Sequence, residues 1–291
     1  MKDRDAFSAF HPAVLCGYYA LVLVFSIFLT HPLCLVASLL GALSYAAKLR
    51  GGRAVLHSLA WMAPVWLLAA AVNTLFNHEG ATILTYFSSG NPLTLESMLY
   101  GLSAGGMLAA VLLWFTTYQA VMTSDKFVYL FGRAIPALSL VLSMTLRFVP
   151  KFRAQLRAVQ QARQFAGNSE KTGPIQKVRT SVENFSILVT WSLENAVETA
   201  DSMRARGYGL PGRTAFSIFR FESRDARLLA WLLACGGLVI FGWAAGTLAW
   251  RYYPTVRGGF TGLTALCAAA ELALALTPWA IDAWEARKWN S

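Results

Sequence analysis

The chain has 291 residues, of which 56% are hydrophobic and only 14% are charged, and its formal net charge is +10. Soluble domains carry about 25% charged residues, so this composition excludes an ordinary soluble protein and indicates an integral membrane protein. Basic charge beside apolar runs is typical of the positive-inside bias of membrane proteins and not of a nucleic-acid site. We therefore expect the lipid bilayer as a partner, and no nucleic acid.

Residues that usually bind metals or phosphates do not form recognisable motifs. Cys16, Cys34, Cys235 and Cys267 lie singly in apolar runs, and the four histidines are equally scattered. The phosphate-binding pattern G-x-x-x-x-G-K-[ST] is absent from the sequence. The sequence therefore predicts no catalytic residues, no metal site, no cofactor and no ATP site of the usual kind.

Six apolar runs are predicted to form transmembrane helices, over residues 13–29, 33–47, 54–75, 97–122, 228–250 and 260–279. The second run is short for a crossing, because about 20 residues are needed to span ~30 Å of hydrocarbon. Lys48, Arg50 and Arg53 are predicted to form a basic loop after it. The predicted fold class is all-α, a polytopic membrane protein of about six transmembrane helices with a cytoplasmic helical insertion.

The placement of charge predicts the orientation of these spans. Residues 147–227 hold 14 basic and seven acidic side chains, whereas residues 76–96 contain no Lys or Arg. Because basic loops favour the cytoplasmic side, both termini and residues 147–227 are predicted to be cytoplasmic. Residues 1–146 and 228–291 are then the two parts of a membrane domain.

Residues 127–146 are apolar enough to cross the bilayer, but a crossing would place the basic insertion outside. Arg133 and Pro136 are also unfavourable at a bilayer centre. We expect a helix that lies shallowly at the cytoplasmic face or packs under the bundle, and a crossing is the alternative.

Gly101, Gly105 and Ala109 recur every four residues within the fourth apolar run. Small residues at this spacing let two helices approach closely. We expect this stripe to pack against another helix of the same chain, with contact to a partner protein as the alternative.

Two amphipathic helices are predicted inside the insertion, over residues 151–166 and 182–206. The second has apolar side chains at three- and four-residue steps on one face. Gly207 can adopt the left-handed conformation that ends a helix, so Arg204 and Arg206 fall in the last turn, where unpaired carbonyl groups favour cations. An arginine there presents a planar fork of donors suited to carboxylates.

Four segments together resemble one known family. They are Asn-Thr-Leu-Phe-Asn-His-Glu-Gly at residues 73–80, Arg-Phe-Val-Pro at 147–150, Ala-Arg at 162–163, and Ala-Asp-Ser-Met-Arg-Ala-Arg-Gly-Tyr-Gly at 200–209. In order and spacing they resemble the transmembrane T component of energy-coupling factor (ECF) transporters, the EcfT family of prokaryotic vitamin and metal-ion importers. The agreement extends from about residue 67 to residue 227.

The resemblance implies a non-catalytic coupling subunit of an ECF-type ABC importer in the prokaryotic cell membrane, for uptake of a vitamin or of a metal ion such as cobalt or nickel. In that family two cytoplasmic coupling helices dock into grooves of two ATP-binding subunits, identical or different, which hydrolyse ATP. A separate membrane-embedded S component binds the substrate and determines its identity. The expected partners are therefore two ATP-binding subunits and one S component.

Each coupling helix of the family ends in an Ala-Arg-Gly-like signature, and the resemblance carries this role to two places in the present chain. The second signature is Ala205, Arg206 and Gly207, and the first is Ala162, Arg163 and Gln164. Gln164 stands where the family pattern has glycine. Gly167 is the glycine that could supply the helix end three residues later.

Two other classes of function predict different features. A secondary transporter or channel needs paired ionisable groups near the bilayer midplane and repeated halves. Glu271 is the only carboxylate well inside a predicted span, and no internal repeat is visible. An intramembrane enzyme needs a nucleophile–base pair or a metal cluster, and no such arrangement stands out.

Overall fold

The protein was analysed as a computed structural model that describes residues 5–86, 92–166, 173–211 and 219–290. Most of these residues are helical, which confirms the predicted all-α class. The helices are α1 (Pro12–Phe28), α2 (Pro32–Arg50), α3 (Gly52–Phe76), α4 (Leu95–Val121), α5 (Ser124–Ala134), α6 (Pro136–Phe165), α7 (Pro174–Ala205), α8 (Ser223–Ala244) and α9 (Gly262–Asn290). Strands β1 (Ile83–Tyr86) and β2 (Pro92–Thr94) form an antiparallel hairpin between α3 and α4.

Within the described ranges, five helices are long and apolar enough to cross a membrane, namely α2, α3, α4, α8 and α9. Helix α1 is apolar but has only 17 residues. These six helices lie on the six runs predicted as spans, and the protein is a multi-pass membrane protein. The second run is longer than expected, because α2 begins at Pro32 and continues through Arg50 for 19 residues.

The first two membrane helices begin in the same way. Each starts with a proline, Pro12 or Pro32, whose missing N–H would have no intrahelical partner in any case. The preceding histidine caps the helix, since Nδ1 of His11 accepts from the Ala13 N–H at 3.3 Å and Nδ1 of His31 accepts from the N–H two residues later at the same distance. Both histidines therefore serve as helix caps.

The basic loop predicted between α2 and α3 is wrong. Lys48 and Arg50 lie in the last turn of α2, Arg53 lies in the first turn of α3, and Gly51 alone joins the two helices with a φ of 85°. Glycine adopts a positive φ without a steric penalty, so one residue makes the whole turn. Lys48 also forms an ion pair with Asp282 of α9, with 3.2 Å between Nζ and Oδ2.

Packing divides the chain into two units, residues 1–123 with 219–291 and residues 124–218. The first unit contains α1–α4, α8 and α9, and its core includes the fully buried side chains of Phe7, Tyr18 and Trp114. The ring centroids of Phe7 and Tyr18 are 5.0 Å apart, and those of Tyr18 and Trp114 are 6.1 Å apart. The indole N–H of Trp114 donates to Ser38 Oγ at 3.0 Å, which satisfies its one polar group.

The second unit contains α5, α6 and α7, and its first part differs from the sequence prediction. A single helix over residues 127–146 is wrong, because the chain breaks at Ile135, which has a φ of −135° and a ψ of 87°. Pro136 opens α6, and a proline disfavours the helical conformation of the residue before it. Helix α6 then continues for 30 residues through Pro150, so the helix predicted over residues 151–166 is only its second half.

Helix α7 is also longer than predicted. It begins at Pro174, with Gly173 as its N-cap, and not at residue 182. The fixed φ of proline suits the first helical position, so Pro174 starts the helix rather than ending the preceding loop. Helix α6 ends at Phe165, and the stop signal predicted over residues 167–169 lies outside the described residues.

The small-residue stripe of α4 packs against α3, as the sequence predicted. A Cβ atom at Gly101 would lie 2.8 Å from the Ala70 carbonyl oxygen, and one at Gly105 would lie 2.9 Å from the Trp66 carbonyl oxygen. The Trp66 indole N–H donates to the Leu102 carbonyl oxygen at 2.8 Å across the same contact. The Trp66 indole packs directly onto Gly105 and the α3 backbone packs onto Gly101, because neither glycine has a side chain that would fill this space.

We expect Gly105→Leu to force α3 and α4 apart, because the new side chain would collide first with the indole of Trp66 and then with its carbonyl oxygen. Overpacking of this kind costs typically 1–3 kcal/mol or more, so the purified protein should unfold at a clearly lower temperature than wild type. Leu108→Ala is the matched control, since Leu108 lies on the same helix and is 41% exposed. Equal melting temperatures for the two variants would contradict the packing role of the stripe.

Candidate functional site

Helices α6 and α7 form an antiparallel pair that carries both predicted signatures. The rings of Phe152 and Trp191 meet edge to face with their centroids 5.8 Å apart. Farther along α6, the Arg163 guanidinium reaches Asn184 of α7. Because a later residue of α6 meets an earlier residue of α7, the two helices run in opposite directions.

The end of α7 has the geometry that its sequence predicted. Gly207 has a φ of 81°, its N–H donates to the Arg204 carbonyl oxygen at 2.9 Å, and the Tyr208 N–H donates to the Met203 carbonyl oxygen at 3.0 Å. These two bonds are the paired hydrogen bonds of a Schellman motif. They make Arg206 the C-cap residue, one position before the left-handed glycine.

The Arg206 side chain is exposed and forms no ion pair with any described residue. Its neighbour Arg204 lies 4.0 Å from Asp201, and both of those side chains are largely exposed. Such a pair on a helix surface contributes little to stability. The last turn of α7 therefore presents Arg206 as an available cation at a fixed position, since Ala205 and Gly207 on either side lack long side chains.

The Arg163 side chain is bound within the chain. Its Nη1 donates to Asn184 Oδ1 at 2.9 Å, and its Nη2 donates to Glu183 Oε2 at 2.6 Å. Glu183 accepts a further bond from Arg179 Nε at 3.1 Å. The hydrogen bonds from Arg163 and then from Arg179 lower the pKa of Glu183, so this carboxylate is ionised at neutral pH and the pair with Arg163 is charged on both sides.

The two signatures therefore occupy different positions in their helices. Helix α6 ends at Phe165, so Arg163 lies inside the last turn, whereas Arg206 is the residue that caps α7. Ala162 and Gln164 are exposed on either side of Arg163. Gly167, proposed from sequence as the helix end, lies outside the described residues.

The two arginines are far apart along α7. Arg163 is attached beside residues 183 and 184, and Arg206 lies 22 to 23 residues later. At 1.5 Å of rise per residue, this separation corresponds to roughly 34 Å along the helix axis. No proline or glycine occurs between Ile175 and Ala205, so the helix between the two sites is unbroken.

The apolar face predicted for α7 is exposed in the chain by itself. Phe185, Val189, Leu193 and Val197 recur every four residues, and between 41% and 67% of each side chain is exposed. Scattered apolar side chains are normal on a surface, whereas a continuous stripe of this length marks a contact surface or a membrane surface. The sequence indicated this face, and the structure adds that the other helices of the same unit, α5 and α6, leave it uncovered.

Sequence reasoning missed Glu183 and Asn184. Glu183 was one acidic residue among seven in the insertion, and neither residue belongs to a motif. Their pairing with Arg163 joins positions 20 and 21 residues apart on two helices. Only the i,i+4 spacing of Arg179 and Glu183, a common helical ion pair, could have drawn attention to Glu183.

The described residues contain no group of three or more His, Cys, Asp or Glu side chains that could hold a metal ion. Glu271, the carboxylate noted inside a predicted span, is buried in α9, and its Oε2 has no hydrogen-bond partner in the described part of the chain. The Cys34 side chain of α2 is the hydrogen-bond partner of this carboxyl group, so Glu271 links two neighbouring helices.

The chain matches one known protein family over most of its length. The family model described as cobalt transport protein, CbiQ, matches residues 11–216, which is more than half of the chain and includes both signatures. The chain belongs to this family.

The chain is similar to several proteins named energy-coupling factor transporter transmembrane protein EcfT. It is 31% identical over 106 residues to that of Exiguobacterium sibiricum, 36% identical over 110 residues to that of Lacticaseibacillus paracasei, and 28% identical over 106 residues to that of Bacillus subtilis. These alignments cover 36–37% of the present chain and 40% of each relative. They confirm the resemblance to the EcfT family.

We expect Gly207→Ala to loosen the last turn of α7. An L-residue in the left-handed region costs roughly 1–2 kcal/mol, and the space around Gly207 is otherwise only moderately restricted. Hydrogen–deuterium exchange should become faster at the amides of Gly207 and Tyr208. Gly173→Ala, at the opposite end of α7, is the control because its φ is −113° and its surroundings are open. Equal exchange at residues 207 and 208 in both variants would contradict a role for the left-handed glycine.

Proposed function

We propose that this protein is the transmembrane coupling subunit of an ECF-type ABC importer, which transmits the work of ATP hydrolysis to a substrate-binding S component for uptake of a vitamin or metal ion. The observation that carries the proposal is the pair of arginine signatures, Arg163 and Arg206, on one antiparallel helix pair. The family membership and the EcfT relatives support the same function.

The spacing of the signatures supports contact with two separate ATP-binding subunits, identical or different. One compact groove cannot receive two helix ends that are roughly 34 Å apart, whereas two neighbouring subunits can each receive one helix end. Arg206 is suited to such a groove because it is exposed and unpaired in the described chain, and a guanidinium forms two parallel hydrogen bonds with a carboxylate.

The exposed stripe of α7 supports a second partner. Phe185, Val189, Leu193 and Val197 present apolar surface that water would solvate poorly. A membrane-embedded S component is a partner of the matching chemistry, because its own outer surface is apolar. In this proposal the S component selects the substrate, and the present chain transmits motion.

The proposed subunit is not catalytic. The sequence lacks the usual phosphate-binding loop, so the ATPase activity is assigned to the partner subunits. The residues described here supply binding surfaces and a rigid connection, and the proposal assigns no bond-making step to any of them.

The proposed orientation puts both termini and the coupling-helix domain, residues 147–227, in the cytoplasm, because this segment is strongly basic and residues 76–96 contain no basic residue. In a variant whose four native cysteines are replaced, single cysteines at the exposed positions Thr85 and Ser202 should react with a membrane-impermeant reagent from opposite sides. Thr85→Cys should label in intact cells, and Ser202→Cys only in inverted vesicles. Labelling of both from the same side would exclude this topology.

The role of Arg206 is tested by charge reversal. We place Arg206 against carboxylates in a groove of an ATP-binding subunit, so Arg206→Glu would bring like charges together there. Losing one partner of a shielded charge pair costs roughly 2–5 kcal/mol. Because 1.4 kcal/mol is a factor of ten in affinity, association with the ATP-binding subunits should weaken about 30-fold or more. Substrate uptake should fail while the protein remains folded in the membrane. Arg206→Lys keeps the charge and loses the fork, so its defect should be intermediate.

Arg204→Glu is the matched control for this experiment. Arg204 lies two residues from Arg206 on another side of the helix, and it is 81% exposed with only a loose contact to Asp201. Copurified ATP-binding subunit and substrate uptake should stay close to wild type. If Arg204→Glu abolished both while Arg206→Glu behaved like wild type, the proposed coupling residue would be wrong.

A further inference from the structure

The two signature arginines are in different states, and the difference indicates separate roles. Arg206 is exposed, whereas the Arg163 side chain is 22% exposed and bound to two residues of α7. We propose that Arg163 is a positioning residue that clasps α6 to α7 through Glu183 and Asn184, so that the two helices move as one rigid lever. This inference rests on the proposed function, and it assigns to Arg163 a task inside the chain.

The geometry of the clasp favours a fixed orientation of the guanidinium. Two different nitrogens of Arg163 donate to acceptors on adjacent residues of α7, at 2.6 Å to Glu183 and at 2.9 Å to Asn184. A planar fork held by two acceptors cannot rotate without breaking at least one bond. Asn184 is 7% exposed, so losing this partner would leave a buried amide oxygen without its donor, which is unfavourable.

The Arg163 guanidinium is less available to a partner subunit than that of Arg206. Its Nη1 and Nη2 already donate to Asn184 at 2.9 Å and to Glu183 at 2.6 Å. A carboxylate of a partner subunit could bind it at these nitrogens only by displacing or sharing those acceptors. Arg206 has no carboxylate beside it among the described ion pairs.

The clasp also completes the mechanical connection between the helices. Phe152 and Trp191 provide one of the contacts between α6 and α7, and a bonded contact far from it restricts pivoting of the helices about that point. Arg163 is 11 residues beyond Phe152, or roughly 16 Å along α6. Two contacts at this distance fix the angle between the helices, so a displacement of one helix end is transmitted to the other.

The test is a charge swap between Arg163 and Glu183, assayed in the assembled transporter. Arg163→Glu and Glu183→Arg should each place like charges together and lower substrate uptake at least tenfold. The double variant Arg163→Glu/Glu183→Arg restores opposite charges across the helix pair, so uptake should recover to within about threefold of wild type. Glu183→Gln keeps the shape of the side chain and loses its charge, so substrate uptake should fall between that of wild type and that of the reversal variants. This variant replaces the reversal variants in the test if one of them fails to fold.

A distance measurement tests the clasp without transport. Spin labels at Gln160 of α6 and Ser181 of α7, both exposed, should give a narrow distance distribution in the wild-type chain in detergent. The distribution should broaden in each single reversal and narrow again in the double variant. Arg179→Ala is the control, because the Arg179 side chain is 73% exposed and binds Glu183 at Oε1, not at the Oε2 atom that Arg163 binds. This variant should change substrate uptake by less than threefold.

The outcomes separate this inference from the proposed function. If the double variant transports no better than Arg163→Glu and the label distances do not change in any variant, Arg163 acts directly on a partner and the clasp is wrong. If the wild-type chain brings down no ATP-binding subunit, the proposed function fails, but the label distances still decide whether the clasp exists. Recovery of both uptake and distance in the double variant would establish it.

Discussion

A helix transmits displacement along its axis only while its backbone hydrogen bonds are continuous, and α7 meets this requirement over 32 residues. Pro174 stands at its first position and Gly207 just past its end, and neither residue type occurs between them after Pro174. Its length is therefore about 48 Å, which is more than the hydrocarbon thickness of a bilayer. Helix α6 is nearly as long but contains Pro150, so it lacks one backbone hydrogen bond. Its contacts with α7 at the two ends of the segment that follows Pro150, at Phe152 and Arg163, help to keep this part of α6 straight.

The exposed apolar stripe explains why such a long helix is incomplete in the isolated chain. Most helix stability in proteins comes from burying one face, yet Phe185, Leu193 and Val197 of α7 are more than 60% exposed. The α6 contacts at Trp191 and Asn184 cover only other parts of the surface. In the assembly proposed above, partner proteins supply the missing cover for this face of the helix.

Local patterns predicted the features that depend on local physics. Apolar runs predicted the membrane helices, and Gly207 predicted the end of α7, because a left-handed residue is a property of one position. The prediction of a loop over residues 48–53 was wrong. It was based on the charged residues there, whereas Gly51 alone makes the turn and the charged residues lie in the two helices. The pairing of Arg163 with Glu183 could not be read from the sequence, since it depends on where two helices cross and on the rotation of each about its axis.

Gln164, which stands where the family pattern has glycine, changes the position of Arg163 in its helix. A glycine directly after an arginine ends the helix there, which leaves the arginine at the cap, as Gly207 does for Arg206. With glutamine at residue 164 the helix continues to Phe165, so Arg163 stays within the last turn and keeps a helical backbone. In that position its side chain is held against the neighbouring helix and reaches Glu183 and Asn184. In the proposal made above, this position suits Arg163 to hold α6 against α7, whereas Arg206 at the C-cap of α7 stays exposed to a partner protein.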